Sequence, residues 1–182
     1  MNAARLERLF NHCFSAMWHC ELRGGASEPL YTPASGASPA RICYREDFAA
    51  SALHEVAHWC IAGPARRALV DYGYWYAPDG RSAAEQQAFE HAEARPQALE
   101  WVFAQACGLP FSLSLDNLAG AIDPGERARF AAAVVVEAES LRAGGLPARA
   151  GRFTAALQEA CEDSLFLHDM DFSLSSLLPT TA

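Results

Sequence analysis

The pattern H-E-x-x-H, which begins at His54, constrains this chain more than any other feature of its sequence. Side chains four positions apart share one face of a helix, so a helical segment brings His54 and His58 to one ion. The surrounding residues predict a helix over 48–62, with Asp47 as its N-cap and a Gly-Pro pair at its end. The alternative is two unrelated histidines at the surface or the core edge, beside an incidental glutamate.

Composition and charge narrow the class of protein. The chain has 182 residues, 51% of them hydrophobic, which is enough for one domain with its own core. The net charge is −8, and all 14 basic residues are arginines. An acidic surface argues against sequence-independent nucleic-acid binding, which depends on neutralising phosphates. It favours a cationic substrate or a basic partner surface.

The apolar runs and the cysteines indicate the cellular location of the protein. No run of 18 apolar residues predicts a membrane span, and the first residues lack the continuous apolar segment of a secretion signal. The six cysteines are scattered along the chain and form no C-x-x-C pair. We therefore expect reduced thiols, a cytoplasmic location and no membrane partner.

The hydrophobic periodicity predicts a helix-rich α+β fold with a small β-sheet, in a single catalytic domain over 1–162. The tail, 163–182, shows no periodicity and is of uncertain order. Further helices are predicted at 6–17, 82–94, 96–107, 123–142 and 148–162, with Pro96 marking a new start or a kink. Strands are predicted for the segments PLYT, RICYR and 71–76, and the segment RGGASEP is predicted to be a loop.

Two histidines need a third ligand, and the segment FEHAEARPQALEW at 89–101 is the richest source. Proteins with H-E-x-x-H often take a glutamate from the next long helix, followed by small and apolar residues that pack on the first helix. Glu93 fits this pattern best, and Glu90 is the second choice. We expect at least one of Glu90 and Glu100 to lie on a solvated helix face, and His91 to be exposed.

A His-His-Glu set is compatible with two chemistries. With zinc it activates water, and Glu55 is then the general base of a hydrolase, either a protease or a nuclease. With ferrous iron the same ligand types form a facial triad that leaves positions open for dioxygen and substrate. The spacing alone does not separate the two. A third possibility is a structural metal in a protein that binds a partner without catalysis.

A longer string of motifs closely resembles the elongation factor P hydroxylase family. The shared motifs are H-E-x-x-H-W-C-I-A-G, A-R-R, D-Y-G-Y-W-Y, P-D-G-R and P-Q-A-L, in this order and at close spacing. The resemblance runs from about residue 28 to about residue 153, which is most of the chain. It does not extend to the tail, and the first twenty residues fit only loosely.

The resemblance implies a bacterial enzyme that hydroxylates a lysine of elongation factor P after that lysine has received a β-lysyl group. It implies an α+β domain similar to a metal-dependent bacterial ribonuclease. It also implies a non-haem Fe(II) monooxygenase that uses dioxygen, with His54, His58 and Glu93 as metal ligands. Glu55 would then orient a ligand, hold a water or relay a proton.

The implied substrate is a long side chain with ammonium groups, which requires an acidic and partly aromatic groove. Asp71, Asp79 and Asp116 are candidates to pair with the ammonium groups, and Tyr74 is a candidate to line the groove. Turn capping by Asp79 and Asp116, and sheet packing by the tyrosine, are the alternatives. The two arginines at 66–67 either stabilise the end of the H-E-x-x-H helix or dock the protein partner.

Overall fold

A small mixed sheet is covered by a layer of helices in the computed structural model, which describes residues 1–73, 81–115 and 124–178. The elements in chain order are α1 (Ala3–Trp18), β1 (Cys20–Ala26), β2 (Leu30–Thr32), β3 (Ala40–Arg45), α2 (Ala49–Ile61), α3 (Pro64–Arg67), a 3₁₀ turn (Val70–Gly73), α4 (Ala83–Ala106), α5 (Pro124–Gly144), α6 (Ala148–Ala160) and α7 (Leu174–Leu177). The predicted helix-rich α+β fold is confirmed. The similarity to a metal-dependent bacterial ribonuclease stays a prediction.

The sheet has the strand order β1-β3-β2, with β1 parallel and β2 antiparallel to β3. Ile42 at its centre pairs with Leu22 on one side and with Tyr31 on the other, and all three side chains are buried. β2 and β3 were predicted, but β1 was not. Its outer half is the exposed, glycine-rich part of the segment predicted to be a loop, and it is held by the β3 backbone and by Glu7, which accepts a hydrogen bond from Gly24 N.

An aromatic cluster joins α1, α2 and α6 in the core. The ring centroids of Phe10 and Phe14 lie 5.2 and 5.0 Å from that of Trp59, in edge-to-face arrangements. Phe153 of α6 packs on Phe10 at 6.0 Å. All four side chains are buried. This packing covers one face of α2 with α1 and α6. Another face of α2 packs against α4.

Helix α2 is capped differently from the prediction. Phe48, not Asp47, occupies the N-cap position, and its side chain makes no capping hydrogen bond. At the other end Gly63 has φ −69°, so it begins α3 as its N-cap instead of ending α2 in a left-handed conformation. The predicted N-cap was therefore wrong, because helix position here is set by packing of the apolar face and not by a cap.

Arginine side chains satisfy the carbonyl groups at the C-terminus of α2. Arg149 of α6 donates from Nη2 to the carbonyl oxygens of Trp59 at 3.0 Å, Cys60 at 3.0 Å and Ala62 at 2.6 Å. Its guanidinium lies 4.8 Å from the centroid of the Trp59 ring. Arg67 also donates to the Ala62 carbonyl, as the sequence predicted for one role of the 66–67 pair. Positive charge at this end of a helix is favourable.

Helix α4 runs without interruption from Ala83 to Ala106, although Pro96 lies inside it. The sequence predicted a new start or a kink at this proline. The helix begins with a capping box, in which Ser82 and Glu85 satisfy each other's backbone N–H groups. Because the helix is continuous, Glu93 and Glu100 stand two turns apart on one face.

The predicted strand at 71–76 is wrong in its first part. Val70–Gly73 forms a 3₁₀ turn in which Asp71 and Tyr72 have φ values of 46° and 57°. The rest of that predicted strand lies outside the described residues.

The segment after α6 packs on the helices, because Met170 and Phe172 are buried there. No helix among the described residues is long and apolar enough to span a membrane.

Replacing Arg149 tests the support of α2 from α6. Arg149→Met should lower the free energy of unfolding by about 2–3 kcal/mol, since three carbonyl groups lose a charged donor. Chemical denaturation of the purified protein measures the loss. Arg152→Met, an exposed arginine one turn along the same helix, should change stability by less than about 0.5 kcal/mol. Equal losses in the two variants would contradict this account.

Candidate metal centre

Three donor atoms from two helices converge at one point of the α2–α4 interface. His54 Nε2 and His58 Nε2, on successive turns of α2, are 3.1 Å apart. The Oε2 atom of Glu93, on α4, lies 3.5 Å from His54 Nε2 and 3.3 Å from His58 Nε2. The three atoms thus form a nearly equilateral triangle, and Glu93 is buried.

This triangle fits a single cation. Imidazole nitrogen and carboxylate oxygen bind zinc-sized ions at about 2.0–2.2 Å, so two donors to one ion lie no more than about 4.4 Å apart. All three separations in the triangle are shorter than that limit. Within the described residues, no other group of three or more His, Cys, Asp or Glu side chains has such an arrangement. The set combines two neutral nitrogen donors with one anionic oxygen, which suits zinc and ferrous iron.

Glu100 contacts His54 on the side of the ring that faces away from the triangle. Its Oε2 atom lies 2.8 Å from Nδ1 of His54, and its side chain is buried. A carboxylate on Nδ1 keeps a proton there, so when a cation displaces the proton on Nε2 it is the Nε2 lone pair that is directed at the triangle. The sequence predicted that at least one of Glu90 and Glu100 lies on a solvated face; Glu100 is buried, and Glu90 is partly exposed. The spacing of seven residues from Glu93 was the signal that could have found Glu100.

The acidic and basic groups of the site shift one another's pKa values. Burial lowers the pKa of His54, but the hydrogen bond and charge of Glu100, with the charge of Glu93, outweigh burial and raise it to about 10. Burial raises the pKa of Glu93, but His58 and His54 outweigh this and lower it to about 2. The Glu93 carboxylate is therefore ionised at neutral pH, as a metal ligand must be.

Glu55 lies next to the triangle but is not part of it. Its side chain is half-buried, and it makes no hydrogen bond or ion pair with the residues that the structure describes. Burial raises its pKa, although His54 and His58 act in the opposite direction. A carboxylate that is not engaged and has a raised pKa is suited to accepting or relaying a proton.

The other predicted site residues are not part of the triangle or lie outside the described residues. Asp71 accepts a hydrogen bond from the backbone N–H of Tyr31 at 2.7 Å, so this side chain holds a turn in place. Tyr74, Asp79 and Asp116 lie outside the described residues, and their roles at the substrate stay predictions. Glu90, the second choice for the third ligand, accepts a hydrogen bond from its helix neighbour Gln86 and is not in the triangle.

A cavity of about 590 Å³ lies beside His58. Its walls come from the end of α2, the residues after it and the middle of α4. Tyr72 and Pro96 line it, and the ion pair between Arg95 and Glu137, 2.8 Å apart, stands in its wall. This volume is in the usual range for small-molecule sites, so it offers a route by which a side chain can approach His58.

The fold and the site define the class of protein: an α+β domain that brings two histidines and one carboxylate together between two helices. The sequence profile described as elongation factor P hydroxylase matches residues 9–172, and the chain belongs to this family. Over 166 residues it is 43% identical to the elongation factor P lysine hydroxylase of Haemophilus influenzae, with 90% of this chain and 92% of that protein covered. The resemblance inferred from the sequence motifs is confirmed.

Removing Glu100 should weaken metal binding without removing a ligand. In Glu100→Ala, His54 loses the partner that fixes its tautomer, so the affinity for Co(II) or Zn(II), corrected for the proton displaced from His54, should fall about 10–100-fold. Isothermal titration calorimetry of the metal-free protein measures this. Glu90→Ala is the matched control on the same helix and should bind the ion as the unmodified protein does. An unchanged affinity in Glu100→Ala would show that this carboxylate does not act through His54.

Binding of a divalent cation should release protons from His54. With a pKa of about 10, His54 carries a proton on Nε2 at neutral pH, and a cation at that atom must displace it. Below about pH 10, lowering the pH should therefore weaken the apparent affinity. Calorimetry at about pH 8 in buffers of different ionisation enthalpy should show about one proton per ion from His54.

The same titration has an internal control. Glu100→Gln removes the charge that raises the pKa of His54, so this variant should release clearly fewer protons than the unmodified protein at the same pH. Equal proton release from both proteins, or none from either, would contradict the protonation state described for His54.

Proposed function

We propose that this chain is a metal-dependent hydroxylase of the β-lysylated lysine of elongation factor P. One observation carries the proposal: a chain of this family brings two imidazoles and an ionised carboxylate within 3.5 Å of one another. The Haemophilus influenzae relative is named as a lysine hydroxylase of elongation factor P. The protein partner would thus be elongation factor P, and the place of action the cytoplasm, where translation occurs.

Non-haem Fe(II) is the metal that fits this function. Held by His54, His58 and Glu93, ferrous iron would supply the redox chemistry with dioxygen that hydroxylation of an unactivated C–H bond requires, whereas zinc has none. A His-His-carboxylate set uses one face of such an ion, which makes the enzyme a monooxygenase of the facial-triad type. The likeness of the fold to a metal-dependent bacterial ribonuclease belongs to the same proposal.

The chain's own residues prepare the site. Glu100 keeps the His54 ring in one tautomer, and the two histidines keep Glu93 ionised despite its burial. Glu55 accepts or returns a proton at its carboxylate, because neither oxygen is engaged by a described residue. The packing of α2 against α4 leaves Glu93 buried and the two histidine side chains only partly exposed.

The substrate arm would approach through the cavity beside His58, where Glu137, whose Oε2 is paired with Arg95, could meet an ammonium group through its other oxygen. Asp71, Tyr74, Asp79 and Asp116 remain the candidates for further contacts that the sequence supplied. Asp71 could meet an ammonium only through the oxygen that its hydrogen bond to Tyr31 leaves free.

A zinc hydrolase is the second candidate, and one observation favours it. Glu55 follows His54 directly, is not engaged, and has a raised pKa, as the general base of an H-E-x-x-H hydrolase would. A hydrolase would lose its activity in Glu55→Gln and would need no dioxygen. A non-catalytic partner-binding protein would tolerate loss of the metal ligands altogether.

Mass spectrometry of the substrate tests the proposal. Protein purified without oxygen and loaded with Fe(II) should add one oxygen atom to β-lysylated elongation factor P when dioxygen and a reductant are supplied, and ¹⁸O₂ should label it. His54→Ala and Glu93→Ala should lower the rate by more than about 100-fold, which exceeds the usual effect of losing an outer partner. Glu90→Ala should keep the rate.

Two results would contradict the proposal. One is a Zn(II)-loaded protein that cleaves peptide or phosphodiester bonds while the Fe(II)-loaded protein never incorporates oxygen. The other is full maturation of elongation factor P in cells that carry only the His54→Ala protein.

A further inference from the structure

The turn after α3 has an unusual backbone. Asp71 and Tyr72 are consecutive residues other than glycine, and both have left-handed φ values, 46° and 57°. This region favours glycine, and for a bulky residue such as tyrosine it is a true outlier. Strained conformations of this kind persist only where the surrounding structure holds them, and they cluster at functional sites.

Three hydrogen bonds hold this turn. Arg66 donates from Nη1 to the backbone carbonyl of Tyr72 at 3.1 Å. The carboxylate of Asp71 accepts from the backbone N–H of Tyr31 at 2.7 Å, and the N–H of Tyr72 donates to the carbonyl of Leu69 at 3.2 Å. The turn is thereby tied to α3 on one side and to β2 on the other.

The strained turn places the Tyr72 ring nearly parallel to two other rings. Tyr72 is buried and lies on Tyr31, with 4.3 Å between ring centroids and 14° between planes. The ring of His58 is 6.2 Å from that of Tyr72 and only 10° from parallel. Both separations are within or near the range of interacting aromatic pairs. The hydroxyl of Tyr72 is buried and has no hydrogen-bond partner among the described residues, so no described hydrogen bond of the hydroxyl holds the ring.

The two histidines of the triangle are supported differently. His54 has Glu100 on Nδ1. No hydrogen bond to Nδ1 of His58 is made by any residue in the described parts of the chain; its hydrogen bond is through Nε2. The contacts of His58 with His54 and Glu93 are all made at Nε2 or on the side of the His54 ring. The Nδ1 side of the His58 ring has no such hydrogen bond, so packing has to contribute to the plane of the ring, and the Tyr72 ring is parallel to it.

We propose that Tyr72 is a positioning residue for His58: its ring, held by the strained turn and by Tyr31, sets the plane in which His58 presents Nε2. This inference rests on the metal centre of the proposed function. It gives Tyr72 the role for His58 that Glu100 has for His54, through an aromatic face instead of a hydrogen bond.

Two substitutions separate the ring from the hydroxyl. Tyr72→Phe keeps the ring, so the Co(II) affinity and the visible ligand-field spectrum of the Co(II)-loaded protein should match those of the unmodified protein. Tyr72→Leu removes the ring, so the affinity should fall about three- to tenfold, as expected for loss of one aromatic pair, and the spectrum should shift. Phe172→Leu, which removes a buried ring that packs on Trp101, controls for general loosening of the core and should keep the spectrum.

A measurement without metal keeps the inference separate from the proposed function. In the metal-free protein, NMR should show contacts between the ring protons of His58 and residue 72 in both the unmodified protein and Tyr72→Phe, and an altered His58 shift in Tyr72→Leu. If these contacts are found but no protein binds Co(II), the metal centre is wrong and the ring placement stands. If the unmodified protein binds Co(II) and Tyr72→Leu has the same affinity and spectrum, or Tyr72→Phe loses both, the inference is overturned.

Discussion

The contact between α2 and α4 is the constraint on which the rest of the structure depends. It buries two carboxylates, those of Glu93 and Glu100, which a protein interior does not accept unless they are paired. The pairing groups are His54 and His58, on the facing side of α2. Neither helix could bury this face alone, so the site and the helix packing form together. Buried ion pairs of this kind contribute little to the free energy of folding, because desolvating the charges offsets their attraction. Their presence at this interface is therefore better explained by function.

Contacts elsewhere in the fold fix the positions of α2 and α4 relative to each other. The aromatic cluster around Trp59 fixes one face of α2, and Arg149 satisfies the end of the same helix from α6. The continuous course of α4 through Pro96 keeps Glu93 and Glu100 on one line. A cation bound at the triangle would add to these contacts, because binding to the folded chain alone shifts the folding equilibrium toward it.

Much of this could be predicted from the sequence, and the failures have physical causes. The helical spacing of His54 and His58, and the choice of Glu93 over Glu90, followed from the i, i+4 geometry and from the small residues after Glu93. The role of Glu100 behind His54 was not predicted, because burial of an acid cannot be seen until its partner helix is placed. The turn at Asp71 and Tyr72 read as a strand because aromatic residues favour strands, whereas tertiary contacts of Arg66 and Tyr31 override that preference.

X-ray absorption spectroscopy of the anaerobic, Fe(II)-loaded protein tests the central claim most directly, since it reports the ligands of the ion itself. The account predicts two imidazoles and carboxylate or water oxygens at about 2.0–2.2 Å, with no sulfur, and loss of one imidazole contribution in His58→Ala. A sulfur ligand, or a spectrum that His58→Ala leaves unchanged, would show that the ion is bound somewhere other than between α2 and α4.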